Sequence, residues 1–146
     1  MRILVDADAC PSVPKIEAIA EKNGWKVLLF MDTCHMKTSE YSEVRICDKG
    51  ADSVDFALLN ECRKDDVVIT QDYGLAAMVL GKGARVMHSN GWWYSNENID
   101  RLLMERHEAK KMRKSSKNHI KGPSKRTAED EERFERCLKL LEVDSI

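Results

Sequence analysis

The chain begins Met1-Arg2-Ile3-Leu4-Val5-Asp6-Ala7-Asp8, an apolar run that ends abruptly on two carboxylates one residue apart. A short apolar run bounded by turn chemistry reads as a strand buried on both faces, as in a parallel sheet. Ligands of open parallel sheets gather outside the carboxyl ends of the strands, where Asp6 emerges. The pattern returns at Val67-Val68-Ile69-Thr70-Gln71-Asp72, and Gly50-Ala51-Asp52-Ser53-Val54-Asp55 places an acidic pair at the start of a helix. Three separate segments therefore deliver carboxylates toward one edge of one sheet. Acids gathered there repel one another and raise their own pKa values unless a cation is present.

The rest of the chain alternates in the same way. Strand Arg2–Asp6 leads through Ser12, an expected N-cap, into a helix over Val13–Asn23 that Gly24 ends. Pro14 is tolerated in the first turn, where its missing N–H would be unpaired anyway. Strands are expected over Trp25–Met31, Glu43–Cys47, Asp66–Thr70 and Ala84–His88, with helices over Asp52–Arg63 and Leu75–Leu80 between them. Val54, Phe56, Leu58, Leu59 and Cys62 give the second helix a broad apolar face. Asn90-Gly91 reads as a turn. A long basic helix follows over Glu97–Ser115, with Ile99, Leu102, Leu103 and Met112 as its apolar stripe. The stretch Ser116–Arg126, with Gly122-Pro123, is a linker. Thr127-Ala128-Glu129-Asp130 starts a last helix, Ala128–Glu142, that turns Phe134, Cys137, Leu138 and Leu141 inward. Alternating strands and helices imply right-handed βαβ units and a mainly parallel sheet covered on both faces, a three-layer α/β/α fold with added C-terminal helices. The 146 residues make one domain, with an α/β core over 1–96 and the basic helix, linker and final helix over 97–146.

A net charge of −1 hides strong segregation. Residues 1–100 carry 11 Lys/Arg against 16 Asp/Glu, residues 101–126 carry 10 against 2, and residues 127–146 carry 3 against 7. Segregation of this kind fits a polyanion-facing arm, and it equally fits a solvated helix followed by a linker. The five cysteines form no C-x-x-C pair, which argues against a zinc knuckle or a disulfide framework. Cys34-His35 has no second pair to complete a soft-metal site. No apolar run approaches the roughly 20 residues of a membrane span, and no basic segment with an apolar signal core precedes the first strand. A soluble, cytoplasmic protein is expected.

Each acid also has a purely structural explanation. Asp6 and Asp8 can cap the turn after the first strand, Asp52 and Asp55 can serve the helix N-terminus, and Asp72 can cap the next helix. Together, Asp6, Asp8, Asp52, Asp55 and Asp72 suit a hard divalent ion, Mg²⁺ or Mn²⁺, which prefers oxygen ligands. Such an ion acidifies water and polarises a phosphoryl oxygen, and Asp6 and Asp72 are the expected catalytic acids. Thr70 is placed to orient substrate or water. Trp92-Trp93-Tyr94 can stack bases, although packing of the last helices explains it more simply. His88, His107 and His119 have no neighbour in sequence that suggests ligation.

The strings Asp6-Ala7-Asp8-Ala9-Cys10-Pro11, Gly50-Ala51-Asp52-Ser53-Val54-Asp55 and Val68-Ile69-Thr70-Gln71-Asp72-Tyr73-Gly74-Leu75-Ala76 together resemble the bacterial YaiI/YqxD family, also called UPF0178 or DUF188. So does the tail, where Gly122-Pro123 precedes an acidic helix with Arg133 and Phe134. The resemblance covers nearly the whole chain and implies a PIN-like domain. PIN domains are α/β/α nucleases with an Asp after the first strand, an acid on a central helix and an Asp after a later strand. Asp6, Asp52 or Asp55, and Asp72 match those places. The Asp6/Asp8 spacing and the paired helix acids depart from the commonest arrangement.

Three functions follow as expectations. The first is a metal-dependent nuclease acting on RNA, with Arg101–Arg126 neutralising backbone phosphates. The second is a non-catalytic nucleic-acid- or partner-binding module. The third is a phosphatase of the haloacid-dehalogenase type, with Asp6 as nucleophile and Asp8 as acid/base. Its short chain and unclear later motifs count against it.

Overall fold

The computed structural model describes residues 1–34, 37–115 and 125–144. His35, which belongs to the Cys34-His35 pair, the bulk of the linker and His119 lie outside the described residues. The elements in chain order are β1 (Arg2–Asp6), a 3₁₀ turn (Ala7–Ala9), α1 (Val13–Asn23), β2 (Lys26–Asp32), β3 (Glu43–Cys47) and α2 (Ala51–Glu61). They continue with β4 (Val67–Ile69), α3 (Tyr73–Gly81), β5 (Arg85–His88), β6 (Trp92–Trp93), α4 (Asn96–Ser115) and α5 (Ala128–Asp144).

The strands form one sheet in the order β3-β2-β1-β4-β5-β6, parallel except for β6. β2 and β3 extend it to one side of β1, and β4 and β5 to the other. The β1/β4 junction is therefore the topological switch point of the sheet, the place where ligands of such sheets ordinarily bind. Val5 pairs with Ile69, which sets Asp6 beside Thr70 at the carboxyl end of both strands.

Period-two alternation divides the buried residues of the central strands between two layers. Ile3, Val5, Val27, Leu29, Val67 and Ile69 pack with Ile16 and Ala20 of α1 and with Phe134, Leu138 and Leu141 of α5. Leu4, Leu28, Phe30, Val68 and Val86 pack with α2, α3 and α4 through Val54, Leu58, Leu75, Val79 and Ile99. The three-layer α/β/α architecture follows directly.

Several local expectations are corrected. β4 is shorter than Asp66–Thr70, although the Arg85 amide still donates to the Asp66 carbonyl and the Thr70 amide to the Met87 carbonyl at its two ends. Asp66 receives Arg2, and the Thr70 hydroxyl receives the Asp72 amide. β6 arises from a hairpin at the Asn90-Gly91 turn, since Trp92 and Trp93 pair antiparallel with His88 and Met87. Gly91 sits at φ +83°, and a Cβ there would collide with the backbone of Arg133 and Phe134, so only glycine lets α5 seat against this turn. Phe56 is 62% exposed and Met112 57% exposed, which removes both from the core. A 100° step per residue carries Phe56 off the stripe that buries Val54 and Leu58. Ser12 precedes α1 as expected but makes no side-chain cap, and its hydroxyl donates to Glu131 instead.

Candidate carboxylate site

The site is built where β1 and β4 end. Asp6 is the last residue of β1, and one of its carboxylate oxygens accepts a hydrogen bond of 3.0 Å from the Thr70 hydroxyl. The Thr70 Oγ1 in turn accepts the Asp72 amide at 3.0 Å. One buried threonine thus links the two strand-terminal acids. Asp72 caps α3, its Oδ1 accepting the amides of Gly74 at 2.9 Å and Leu75 at 3.2 Å. This capping role and a place in the site are compatible, since a carboxylate has about four lone-pair positions.

α2 brings the helix acids. Gly50 occupies the N-cap position, so Asp52 lies in the first turn rather than capping. Asp55, one turn further on, faces Asp72 closely enough for a carboxyl–carboxylate hydrogen bond. Burial, then the charges of Asp72, Asp6 and Asp52, push the Asp55 carboxyl up to about 7. Burial also raises Asp6, with Asp72 and Asp8 adding to the shift and the Thr70 hydroxyl opposing it. Asp6, Asp55 and Asp72 therefore form one electrostatic unit. Asp8 stands on the β2 side, where Oδ2 accepts the Asp32 amide at 3.1 Å. Asp52 remains exposed at the margin.

Among the described residues, no three His, Cys, Asp or Glu side chains are arranged so that they could already hold a metal ion. The donor set nevertheless suits a hard cation. Mg²⁺ binds through one or two carboxylates and keeps several waters, so it needs no closed protein cage. Asp55 and Asp72 are the pair of acids between which a divalent ion would have to sit.

Three contacts at the site were not anticipated from the sequence, although Arg106 falls in the basic segment and Tyr94 in the aromatic run. Arg106 of α4 brings a guanidinium nitrogen to 3.9 Å from Asp72 Oδ1, with about half its side chain exposed. The Tyr94 hydroxyl, well inside the protein, donates to the Thr70 carbonyl at 3.2 Å. The Gln71 side-chain amide donates to the Ser89 hydroxyl at 2.6 Å. Only helical phase and strand order place these groups, so no local motif announces them. The aromatic run is chiefly packing: Trp92 stacks on His88 with centroids 4.5 Å apart, and the Arg85 guanidinium lies 4.5 Å over Trp93. Arg126, at the end of the basic segment, turns inward to donate to the Ser89 carbonyl at 2.7 and 3.2 Å. It is not part of a phosphate-facing surface.

The family assignment rests on sequence comparison. The DUF188 family model, described as "Uncharacterized BCR, YaiI/YqxD family", matches residues 4–142. The chain belongs to this family. It is 58% identical over 142 residues to a UPF0178 protein of Clostridium acetobutylicum, covering 97% of this chain and 96% of that one. UPF0178 proteins of Alkaliphilus oremlandii and Clostridium tetani are 49% and 50% identical over 138 and 134 residues. These matches cover 94% and 92% of this chain, and 88% and 91% of the relatives. No solved structure matches the chain. Among the described residues, no helix is long and apolar enough to cross a membrane.

Proposed function

We propose that this YaiI/YqxD-family protein is a PIN-like, metal-dependent phosphodiesterase acting on RNA. The observation that carries the reading is the meeting of Asp6, Asp55 and Asp72 at the switch point of the sheet, where Thr70 links Asp6 to Asp72 and the charges of Asp72 and Asp6 add to the rise of the Asp55 carboxyl. Asp6 and Asp72 are the principal carboxylates, joined through Thr70, and Asp55 completes the set with Asp8 and Asp52 at its rim. Mg²⁺ or Mn²⁺ bound there would polarise a phosphoryl oxygen and acidify a water molecule. The Thr70 hydroxyl and the α3 amides hold the orientation of Asp6 and Asp72, so little reorganisation is needed on binding. Asp55 exchanges its proton near neutral pH, and Arg106 presents a positive charge to a backbone phosphate from the α4 side.

The test is hydrolysis of end-labelled RNA by the purified protein with Mn²⁺. Asp6→Asn and Asp72→Asn are each expected to lower the rate at least about hundredfold, the size seen when an electrostatic group of a site is removed. Equal residual cleavage by wild type and both variants would overturn the reading.

The absence of a preformed three-ligand cluster among the described residues favours one alternative, a non-catalytic nucleic-acid- or partner-binding module. It requires thermal stability that does not change on adding Mn²⁺, because an ion that binds only the folded state raises stability. The phosphatase reading has no support of this kind.

A further inference from the structure

The loops that carry Asp6 and Asp72 meet twice. The inner meeting is the Thr70 hydroxyl on Asp6. The outer one runs through α5, more than fifty residues later in the chain. Glu131, in the first turn of α5, accepts the Ser12 hydroxyl at 2.9 and 3.2 Å and has the Lys15 ammonium 2.5 Å away. Ser12 is 3% exposed and ends the connection that starts at Asp6. Glu131 is also ion-paired with Arg126, whose side chain is 18% exposed. Arg126 donates twice to the Ser89 carbonyl, and the Ser89 hydroxyl accepts from Gln71, the residue between Thr70 and Asp72. The circuit is closed: Asp6, Ser12, Glu131, Arg126, Ser89, Gln71, Thr70 and back to Asp6.

We propose that α5 is a strap in which the Arg126–Glu131 pair ties the loop after β1 to the loop after β4 and sets the separation of Asp6 and Asp72. Arg126 and Glu131 are positioning residues. The proposal rests on the reading of those acids as the functional site, but its geometric content can be tested without activity. Three further features favour a fixed strap over a loosely docked helix. Phe134 is fully buried beneath the Arg126 guanidinium, Gly91 permits backbone approach at Arg133, and the Cys137 thiol donates to the Gly91 carbonyl at 3.0 Å. Arginine suits the position because its planar fork can satisfy a carbonyl and a carboxylate together, which an ammonium cannot match.

The experiment is amide hydrogen exchange on the full chain, comparing Arg126→Gln, Ser89→Ala, their combination and the core variant Leu141→Val. Arg126→Gln and Ser89→Ala should each speed exchange at the Asp72, Gly74 and Leu75 amides about tenfold, a local opening rather than global unfolding. The double variant should be no faster than the faster single one, because both break the same circuit. Leu141→Val weakens α5 packing without touching the circuit and should leave those amides unchanged. If Arg126→Gln leaves them unchanged, or Leu141→Val speeds them equally, the strap is overturned. Mn²⁺-dependent RNA hydrolysis provides a second readout, with kcat falling about ten- to hundredfold in Arg126→Gln while KM holds, and partial recovery in Arg126→Lys. Wild-type protein without Mn²⁺-dependent hydrolysis would overturn the phosphodiesterase reading alone, and the exchange result would still decide the strap.

Discussion

The two edges of the sheet treat acidic residues in opposite ways. At the amino-terminal edge, Asp66 is 4% exposed and fully matched: Arg2 contributes two hydrogen bonds of 2.6 and 3.0 Å, and the Arg63 amide a third of 2.8 Å. Arg2 also reaches the Glu61 carbonyl, and Arg45 pairs with the Glu61 carboxylate at 2.8 Å. At the carboxyl-terminal edge, Asp6, Asp55 and Asp72 gather, held by the Thr70 hydroxyl and the α3 amides, with Arg106 3.9 Å from Asp72. The same strands thus carry a neutralised acid at one end and a concentrated negative field at the other. Carboxyls raised by burial and by one another's charge at the strand ends are what the proposed site rests on.

The largest effect that would sharpen this contrast is at the matched edge. Asp66→Asn leaves a partly buried guanidinium without its partner and should cost about 2–4 kcal/mol in urea denaturation. A cost below about 0.5 kcal/mol would show that the two edges do not differ as described.

The pH dependence comes next. Burial pushes His88 down to about 4, with nearby Arg126 adding to the shift and Asp130 opposing it. The unfolded chain binds this proton with its ordinary pKa of about 6.5, so His88 destabilises the fold as pH falls from about 6.5 to 4, by up to about 3 kcal/mol. Asp55 acts in the opposite sense. Its folded pKa is raised to about 7, so its ionisation costs stability as pH rises from about 4 toward 7. In the metal-free wild type the two slopes offset one another. Asp55→Asn should unmask a clear rise in melting temperature between pH 4 and 6.5, and an unchanged profile would remove the electrostatic distinction between the edges.

A divalent ion should act at one edge only. Mn²⁺ at tenfold excess over its dissociation constant should stabilise the protein by about 1.4 kcal/mol, seen as a higher melting temperature. Asp72→Asn should abolish that gain, whereas Asp66→Asn should retain it. Asp55→Asn without metal should be neutral or stabilising by up to about 1 kcal/mol, the reverse of removing an acid at the other edge. The smallest change expected is at the half-exposed Arg45–Glu61 pair, where Arg45→Gln should cost less than about 0.5 kcal/mol.

Much of this was legible from residue order. The run Ile3-Leu4-Val5-Asp6 and its counterpart ending at Asp72 announced parallel strands delivering acids to one edge, and α1 and β3 lie at their expected bounds. Phe56 was misplaced because an apolar residue beside a buried stripe has no local signal of its helical phase relative to the core. β6 escaped because two aromatic residues are too short a run to show alternation, and pairing with β5 alone makes them a strand. The partners of Arg106, Tyr94 and Arg126 escaped for a different reason: Arg106 meets Asp72, Tyr94 meets Thr70 and Arg126 meets Ser89, each at least 24 residues away.

The order of residues by itself determined the layers, the acids at the strand ends and the family, because hydrophobic period and turn chemistry act within a few neighbours. Tertiary structure decided which acids meet and which are neutralised. Strand order set β1 against β4, and the return of α5 joined their loops. Coulomb energy depends on distance through space, and separation along the chain does not specify that distance.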